Sequence, residues 1–331
     1  MPKQAKTFLS KDGDASLPLL IVNPKSASGA TRDKWSVTAS ELRAHFGAFS
    51  VAFTKGPGDG IEIAERSAKS GRRFIIACGG DGTINEVANG IIRSGVDVEL
   101  GVLPSGTGGD FRRTLGMPLA GRDAAGALRD GETRLIDVGR VTFQDHDNRT
   151  VNRYFLNVSS VGLAPSVLKR VKKARVFDWL PGDALRGKAN FAVSAIQEVI
   201  SLDPFIIRIR LDDGDEKTVQ TICFCIANSR YFGGGMMIAP EAKINDGLLD
   251  VVNIGDMSTA KIIFNALSLY RGTHLNLDEV KSTAAKKLDI SAVDPSRETL
   301  IEIDGEMLGK LPASYEIVPN AIRVRIAKPR K

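Results

Sequence analysis

The chain contains few cysteines, few aromatic residues and no long apolar run, and each scarcity excludes a class of protein. Its three cysteines include no CxxC pair, which disfavours both a disulfide-rich scaffold and a cysteine-based zinc site. No segment approaches the roughly 18 consecutive apolar residues that a membrane-spanning helix needs. The first 18 residues carry charge throughout and lack the apolar centre of a secretory signal. We therefore expect a cytoplasmic protein with a packed core.

The first 134 residues alternate short apolar runs with amphipathic stretches, which predicts strands that alternate with helices. Because the apolar runs are continuous, we expect them to be buried on both faces, as in a parallel sheet. This pattern is typical of a doubly wound α/β domain. The expected strands cover residues 19–22, 50–54, 74–77 and 100–103, and the expected helices cover 33–45, 59–69 and 83–92.

From residue 135 the chain changes to short strands separated by turn residues, which predicts an antiparallel sheet or sandwich. The run Asp-Asp-Gly at 212–214 indicates a hairpin. The expected fold class is therefore α/β, with an N-terminal doubly wound parallel sheet and a C-terminal β-rich sandwich. The expected strands cover 134–141, 153–159, 205–211, 218–227 and 248–254, with short strands continuing to 325, and the expected helices cover 185–200 and 258–270.

The strongest chemical signal is the run GGDGT at residues 79–83, between an expected strand and an expected helix. Three glycines in four positions let the backbone turn sharply, and the N–H groups of such a loop can bind a phosphate. Thr83 is placed either to cap the helix or to bond a phosphate oxygen. Asp81 would repel a bare phosphate, so it predicts a metal ion or a transferring phosphoryl group nearby. The alternative is a tight turn with a structural aspartate.

Two further loops, NPKSASG at 23–29 and PSGTGGD at 104–110, follow other expected parallel strands. Loops at the carboxyl ends of parallel strands meet in the crevice where open α/β sheets bind ligands, so together they predict a nucleotide-phosphate site. The P-loop pattern GxxxxGK[ST] does not occur, and GxGxxG is missing after the first strand. These absences exclude a P-loop enzyme and disfavour a dehydrogenase.

The order of these motifs resembles the diacylglycerol kinase catalytic-domain family, which includes soluble bacterial lipid kinases and the sphingosine and ceramide kinases. The resemblance implies a nucleotide domain like that of NAD kinases and phosphofructokinases, followed by a β-rich sandwich. It implies an ATP-binding domain at 1–134 with a returning segment at 310–331, and a lipid-acceptor domain at 135–309. The similarity continues through IDVGRV at 136–141, RYFLNVSSVG at 153–162, PEAKINDGLLDV at 240–251 and EIDGE at 302–306.

The same resemblance implies roles for the residues that match the family motifs. Glu306 would be the general base that takes the proton of the acceptor hydroxyl, and Asp81 and Asp110 would lie at the phosphoryl-transfer centre. Without the resemblance, Asp-Gly-Glu at 304–306 is equally a hairpin turn. ATP would be surrounded by Asn23, Pro24, Lys25, Ser26, Gly29, Thr54, Gly79, Gly80, Asp81, Gly82, Thr83, Asn85, Glu86 and Thr107.

The resemblance also implies a Mg²⁺ ion. Asp246 and the backbone carbonyls of Lys243 and Leu248 would hold the ion, and Asp137 would connect to it through water. Phosphoryl transfer depends on positioning, on neutralisation of charge by Mg²⁺ and on a base near the nucleophile, so this set of residues suits it. Taken alone, Asn-Asp-Gly at 245–247 is a turn signature in which oxygen ligation of Mg²⁺ is plausible but not demanded.

One position departs from the family pattern. The family has Gly-Thr-x-Asn-Asp-Phe, whereas this chain has Gly109 immediately before Asp110 and Phe111. Loss of the asparagine removes a side-chain amide close to the nucleotide, which would weaken ATP binding or shift its pose. The departure is either variation within a subfamily or a sign of an inactive member.

The formal net charge of +6 is concentrated in residues 169–188, which hold seven basic and two acidic side chains. With Phe177 and Trp179 inside it, this segment predicts peripheral contact with an anionic membrane surface. The alternative is an ordinary amphipathic helix packed on the sheet. A nucleic-acid partner is disfavoured, because few aromatic residues lie among the basic ones. A homo-oligomer stays open.

The favoured function is a cytoplasmic, peripherally membrane-associated lipid kinase that uses ATP and Mg²⁺. Its acceptor would be a membrane lipid such as diacylglycerol or a sphingoid base. Two alternatives stay open at this point: a kinase of the same fold that acts on a soluble acceptor such as NAD, and a catalytically silent module that binds a lipid or a nucleotide.

Overall fold

The structure of the protein is a computed structural model. The basic segment 169–188, the expected helix 185–200 and Thr107 lie outside the described residues. The residues that the structure describes are 15–105, 109–119, 121–163, 165, 204–294, 296 and 298–328.

The first part of the chain is a parallel sheet in the order β4-β3-β1-β2, with helices between the strands. The strands β1 and β3 are central, and their apolar residues are buried on both faces, as the continuous runs predict. The elements are β1 (Leu19–Val22), α1 (Ala30–His45), β2 (Ser50–Phe53), α2 (Asp59–Lys69), β3 (Phe74–Gly79), α3 (Asp81–Ser94), β4 (Glu99–Pro104), α4 (Asp110–Thr114) and α5 (Gly121–Asp130), with a 3₁₀ turn at Ser26–Gly29.

The second part is built from antiparallel strands and one helix. The predicted hairpin at 212–214 is confirmed, since it joins β8 to β9. The elements are β5 (Glu132–Gln144), β6 (Thr150–Phe155), β7 (Val158–Gly162), β8 (Phe205–Leu211), β9 (Lys217–Thr221), β10 (Cys223–Ala227), β11 (Tyr231–Phe232), β12 (Met236–Met237), β13 (Leu249–Ile254), α6 (Thr259–Arg271), β14 (Val280–Ala285), β15 (Lys287–Ala292), β16 (Leu300–Ile303) and β17 (Glu306–Ile326), with a 3₁₀ turn at His274–Asn276.

Two layers of strands form the predicted sandwich. One layer runs β14-β13-β10-β7-β16, and the other runs β9-β8-β15-β17-β5-β6. Side chains from both layers share one apolar core, in which Phe155, Phe224 and Tyr315 are fully buried. Alternate residues of β8 are buried and exposed, as a strand with one covered face requires. The predicted α/β fold class with a β-rich sandwich is confirmed.

A single strand, β17, connects the sandwich to the parallel sheet. It pairs with β16 at its start, with β15 and β5 in its middle, and in parallel with β4 near its end, where Arg323 lies opposite Glu99. Arg325 forms an ion pair with Glu99, and Arg323 donates to Asp97 at 2.7 Å. Residues 310–318 therefore pair within the sandwich and 322–326 lie beside the parallel sheet, while the domain division at 309 stays a prediction.

The structure divides two segments that the sequence predicts as single strands. The expected strand 153–159 is interrupted at Leu156 and Asn157, whose backbone N–H groups bind the Asp304 carboxylate. The expected strand 218–227 is interrupted at Ile222, so that β9 pairs with β8 while β10 pairs with β7 and β13. The residue pattern of each segment is that of a continuous strand. The positions of the breaks are determined by tertiary contacts.

The described residues contain no helix that combines the length and the apolar character needed to cross a membrane.

The contact between α2 and α3 gives a prediction about stability. A Cβ on Gly90 would lie 2.3 Å from the Ile61 carbonyl oxygen and 2.7 Å from the Ala64 Cβ. The two helices must separate to accept it, so we expect Gly90→Ala to lower the free energy of unfolding by about 1–3 kcal/mol.

Gly126, in α5, is the matched control because a Cβ there meets nothing within 4 Å. Gly126→Ala should leave the protein unchanged or stabilise it by up to about 1 kcal/mol. Urea unfolding of both variants measures the difference. Equal stability of the two variants would contradict the close helix contact.

Candidate active site

The loops after β1, β3 and β4 meet at one edge of the parallel sheet, as their places in the sequence predict. The Asn23 side-chain amide donates a hydrogen bond of 3.1 Å to the Thr83 hydroxyl, which joins the first loop to α3. The hydroxyls of Ser26 and Ser105 lie 3.1 Å apart and join the first loop to the third. Thr31 completes this hydroxyl cluster, with its Oγ1 2.6 Å from Ser26 Oγ.

The GGDGT run turns from β3 into α3 where a side chain would not fit. A Cβ on Gly79 would lie 2.5 Å from the Thr83 hydroxyl oxygen. The helix begins at Asp81, with Gly80 as its N-cap residue, so Thr83 lies inside the first turn. The interpretation of Thr83 as a helix cap is therefore wrong, because the helix starts two residues earlier than the sequence pattern indicates.

Asp81 and Asp110 lie next to each other, and each is held by backbone N–H groups. The carboxylate of Asp81 accepts from the N–H groups of Asp110 at 3.1 Å and Phe111 at 3.0 Å. Asp110 accepts from the Arg113 guanidinium at 2.8 Å and from the Gly234 N–H at 2.8 Å. Burial raises the pKa of Asp110, because the loss of hydration outweighs these hydrogen bonds.

The contact with Gly234 brings in a part of the chain that the sequence reasoning missed. Residues 233–235 are three consecutive glycines with φ values of 60°, 89° and 111°, and they form the tip of the β11–β12 hairpin. Glycine adopts these left-handed φ values without steric cost, and its lack of a side chain lets the tip approach Asp110 and Arg113 closely. The GGG run itself is the signal that could have pointed to this loop.

Glu306, the first residue of β17, lies against the GGDGT run. One of its carboxylate oxygens is 3.5 Å from the position that a Cβ on Gly82 would occupy. The carboxylate is half-buried, and its negative charge acts on Arg153, which the sequence reasoning also missed. The structure thus brings Glu306 and the predicted phosphate-binding loop together.

Two buried carboxylates hold the hairpin that carries Glu306. Asp304 has a left-handed φ of 46° and accepts hydrogen bonds from the backbone N–H groups of residues 156–158 at 2.8–3.1 Å. Glu302 accepts from the Ser160 hydroxyl at 2.5 Å and from the Gly305 N–H. Burial raises the pKa of Asp304 to about 6 and the pKa of Glu302 to about 7.

Two of the predicted nucleotide-binding residues hold other elements in place. The Asn85 amide donates to the Asp304 carboxylate at 2.7 Å and to the Tyr154 carbonyl at 2.9 Å. The Glu86 carboxylate accepts from the N–H groups of Gly58 at 2.7 Å and Gly60 at 2.9 Å, at the start of α2. The direct partners of Asn85 and Glu86 are therefore protein groups.

The other predicted nucleotide-binding residues line the first loop and the end of β2. Thr54 is buried, and its N–H donates to the Val22 carbonyl at 2.9 Å. Lys25 is exposed, and its ammonium group donates to the Lys55 carbonyl at 3.2 Å. Pro24 is half-buried beside Asn23, and Gly29 enters α1 with a left-handed φ of 93°.

The predicted Mg²⁺ loop lies against the start of β5. Asp137 is buried, and its carboxylate accepts from the N–H groups of Gly247 at 2.7 Å and Asn320 at 2.8 Å. Its own N–H donates to the Ile244 carbonyl at 2.7 Å. Asp137 therefore contacts the 243–248 loop directly and fixes its position.

The donor set of this loop fits a hard cation. Asp246 is exposed and offers a carboxylate, and the main-chain carbonyls of Lys243 and Leu248 would add neutral oxygen donors, which Mg²⁺ prefers. Burial, followed by the charges of Asp246 and Glu241, raises the pKa of Asp250 to about 6, so the loop carries excess negative charge. Among the described residues no three His, Cys, Asp or Glu side chains gather into a metal site, so any ion here relies on backbone oxygens.

The helix α6 carries an exposed apolar face. On α6, Phe264 is 85% exposed and Leu267 is 66% exposed, and Ile263 and Tyr270 continue the same stripe. The helix packs against β12, and a Cβ on Gly272 at its end would lie 2.9 Å from Pro240. The hairpin therefore contacts both α6 and Asp110.

A cavity of about 400 Å³ lies elsewhere, on the outer face of the second sandwich layer. Arg208, Asp289 and Ser314 are among the residues that line it. None of the predicted site residues lines this cavity, and we assign it no part in the candidate site.

The loops of the parallel sheet and the carboxylate hairpin of the β-sandwich thus meet at the candidate active site. Residues 18–141 match the diacylglycerol kinase catalytic domain, and residues 159–326 match the YegS C-terminal NAD kinase beta sandwich-like domain. The chain belongs to the diacylglycerol kinase catalytic-domain family, as the motif order predicts.

Named relatives are similar over most of the chain. A diacylglycerol kinase of Mycobacterium tuberculosis is 28% identical over 92% of this chain and 93% of its own length. A protein of Chromohalobacter salexigens named "Probable lipid kinase YegS-like" is 30% identical over 73% of this chain and 71% of its own length. The crystal structure of a diacylglycerol kinase from Bacillus anthracis str. Sterne has a TM-score of 0.68 at 24% identity, over 95% of this chain and 97% of that chain, and shows the same fold.

The buried Glu302 gives a prediction about pH. Its folded-state pKa is about 7 against an ordinary value of 4.5, so the folded protein binds this proton more tightly than the unfolded chain does. Its contribution to stability is full below about pH 4.5 and is lost as the pH rises towards 7, by up to about 3 kcal/mol.

Glu302→Gln should remove this part of the pH dependence, while Glu216→Gln, at an exposed carboxylate, serves as the control. Urea unfolding of the three proteins at pH 4.5, 6 and 7.5 measures the effect. If the free energy of unfolding of Glu302→Gln changes with pH as much as that of the wild type, the buried carboxyl does not titrate as described.

Proposed function

We propose that the protein is an ATP- and Mg²⁺-dependent lipid kinase, which transfers the γ-phosphoryl group to the hydroxyl of a lipid such as diacylglycerol or a sphingoid base. The observation that carries this proposal is the position of Glu306 beside Gly82 in the GGDGT run. A carboxylate at this position can take the proton of a hydroxyl as that hydroxyl attacks a phosphoryl group bound by the loop.

In the proposed mechanism the three loops bind the triphosphate. Gly80 and Gly82 present backbone N–H groups to phosphate oxygens. The hydroxyl cluster of Ser26, Thr31 and Ser105 holds the first and third loops together. Asp81 and Asp110 keep α4 and the glycine hairpin next to the reacting centre.

The base acts without prior ionisation of the acceptor. An alcohol is too weak an acid to lose its proton before attack, so Glu306 accepts the proton as the new P–O bond forms. The bond from the γ-phosphorus to the β,γ-bridging oxygen breaks in the same step, and the electron pair leaves with the nucleoside diphosphate. Asp304 and Glu302 hold the hairpin, and so they fix the direction from which Glu306 meets the hydroxyl.

A bound Mg²⁺ would lower the cost of negative charge close to the site. In this chain Asp246 and the main-chain carbonyls of Lys243 and Leu248 would hold it, and Asp137 would keep their loop in position through Gly247.

Three observations support a lipid acceptor. The exposed stripe on α6 offers an apolar surface that suits acyl chains, and α6 packs on the hairpin whose tip contacts Asp110. The relatives are named diacylglycerol kinase and lipid kinase. The basic segment 169–188 would add peripheral contact with an anionic membrane, from which the enzyme would take its substrate.

The direct test follows labelled γ-phosphate from ATP with Mg²⁺ into a total lipid extract in mixed micelles. Because the base is removed with little change in shape, Glu306→Gln should reduce lipid phosphorylation by about 10²- to 10⁴-fold without loss of folding. Glu298→Gln, at an exposed carboxylate that precedes β16, should retain full activity. A labelled soluble product from NAD, with no labelled lipid, would contradict the proposal.

The α6 stripe generates a separate prediction about the acceptor. Leu267→Asp places a charge on the exposed apolar face, so we expect the KM for a long-chain diacylglycerol to rise at least tenfold while the KM for ATP stays constant. Asn276→Asp, an exposed change beyond the stripe, is the control. Equal KM values for the lipid in both variants would show that this surface does not bind the acceptor.

A further inference from the structure

The departure from the family pattern at Gly109 is accompanied by an unusual neighbour. Gly109 has a left-handed φ of 63°, and a Cβ at this position would lie 3.2 Å from the Nε of Arg112. The absence of a side chain at 109 therefore leaves room for the Arg112 guanidinium beside the turn that leads into Asp110.

The guanidinium of Arg112 has one nitrogen, Nη1, that is hydrogen-bonded to the protein and another, Nε, that is not. Its Nη1 donates a hydrogen bond of 2.8 Å to the Met117 carbonyl, which holds the guanidinium in place. Its Nε is buried and has no hydrogen-bond partner within the part of the chain that the structure describes. A buried N–H without a partner costs about 1–3 kcal/mol, so in a folded protein such a donor is normally satisfied by a ligand or by a bound water.

The charges around Arg112 are those of the candidate active site. Burial, and then the charge of Arg113, lower the pKa of the Arg112 guanidinium, and the nearby carboxylates of Asp81 and Asp110 oppose this shift. The two arginines differ in their partners, because Arg113 forms an ion pair with Asp110 at 2.8 Å. Over the described ranges no carboxylate lies within ion-pair distance of Arg112, so its positive charge is available to an anion.

We propose that Gly109 and Arg112 together form a phosphate-binding element for the nucleotide. Arg112 supplies the hydrogen-bond donor that the family asparagine would supply from position 109, and Gly109 provides the space that the guanidinium occupies. A guanidinium binds phosphate oxygens through directed N–H groups and retains its charge, so it is a stronger donor than a neutral amide. This inference rests on the proposed function, because the ligand is the polyphosphate chain of a nucleotide.

The two positions are expected to depend on each other. Asparagine tolerates a left-handed φ, so it can be placed at 109 without severe backbone strain. Its side chain would meet the Arg112 guanidinium, however, and one of the two must move. Exchanging both residues together, in Gly109→Asn with Arg112→Ala, restores a donor at 109 and removes the obstruction.

The test measures ATP binding by titration calorimetry, which does not require turnover. Arg112→Ala should weaken ATP binding by about 10- to 100-fold, the loss of one charge-assisted hydrogen bond. Arg112→Lys should recover part of this loss. Gly109→Asn alone should also weaken ATP binding, and the double exchange should bind ATP more tightly than either single variant. Arg122→Ala, at an exposed arginine on α5, should match the wild type.

The KM for the lipid acceptor and the melting temperature separate the outcomes. The proposal requires that Arg112→Ala leave the KM for the lipid acceptor unchanged and that the variant be fully folded at the temperature of the ATP titration. If Arg112→Ala lowers the melting temperature but leaves the ATP affinity unchanged, Arg112 only stabilises the fold through Met117, and the inference is overturned. Lipid phosphorylation by the wild type would still support the kinase in that case. ATP binding that depends on Arg112, with no phosphorylation of any acceptor, would support the inference and contradict the kinase. A wild-type protein that binds no ATP would overturn both.

Discussion

The arrangement of the candidate active site depends on one buried carboxylate. Asp304 lies almost 150 residues along the chain from the backbone N–H groups that it binds, at residues 156–158, and it also accepts from Asn85 in α3. It thereby joins the hairpin of Glu306, the turn between β6 and β7, and the helix that follows the GGDGT run. Burial of a charged group is costly without such partners, and here four hydrogen bonds offset part of the cost, since burial still raises the pKa of Asp304 to about 6.

The same principle recurs around the site, where most acidic side chains bind backbone N–H groups of another element. Asp81 holds the start of α4, Glu86 holds the start of α2, and Asp137 holds the loop at 243–248. These carboxylates organise loops, and their oxygens are largely occupied by protein donors. The groups proposed for ligand chemistry are fewer: Glu306 as a base, Asp246 as a metal ligand and Arg112 as a phosphate donor.

The sequence predicts the features that local chemistry determines. Continuous apolar runs predict β1, β3 and β4, and the glycine-rich loops after them predict the common edge at which Asn23 and Thr83 meet. It does not predict features that depend on distant partners. The break at Leu156 requires the Asp304 carboxylate, and the unbroken 21-residue β17 requires pairing with four other strands. The contact of Gly234 with Asp110 could be found only once the sandwich was placed against the parallel sheet.

The central claim is that Glu306 faces the terminal phosphate of a nucleotide bound on the GGDGT run. A crystal structure with Mg²⁺ and a non-hydrolysable ATP analogue measures this most directly. The account predicts that the triphosphate lies along the backbone of residues 79–83, with the γ-phosphate on the side of Gly82 that faces the Glu306 carboxylate, leaving space between them for one hydroxyl. A γ-phosphate on the far side of the run from Glu306 would contradict the account.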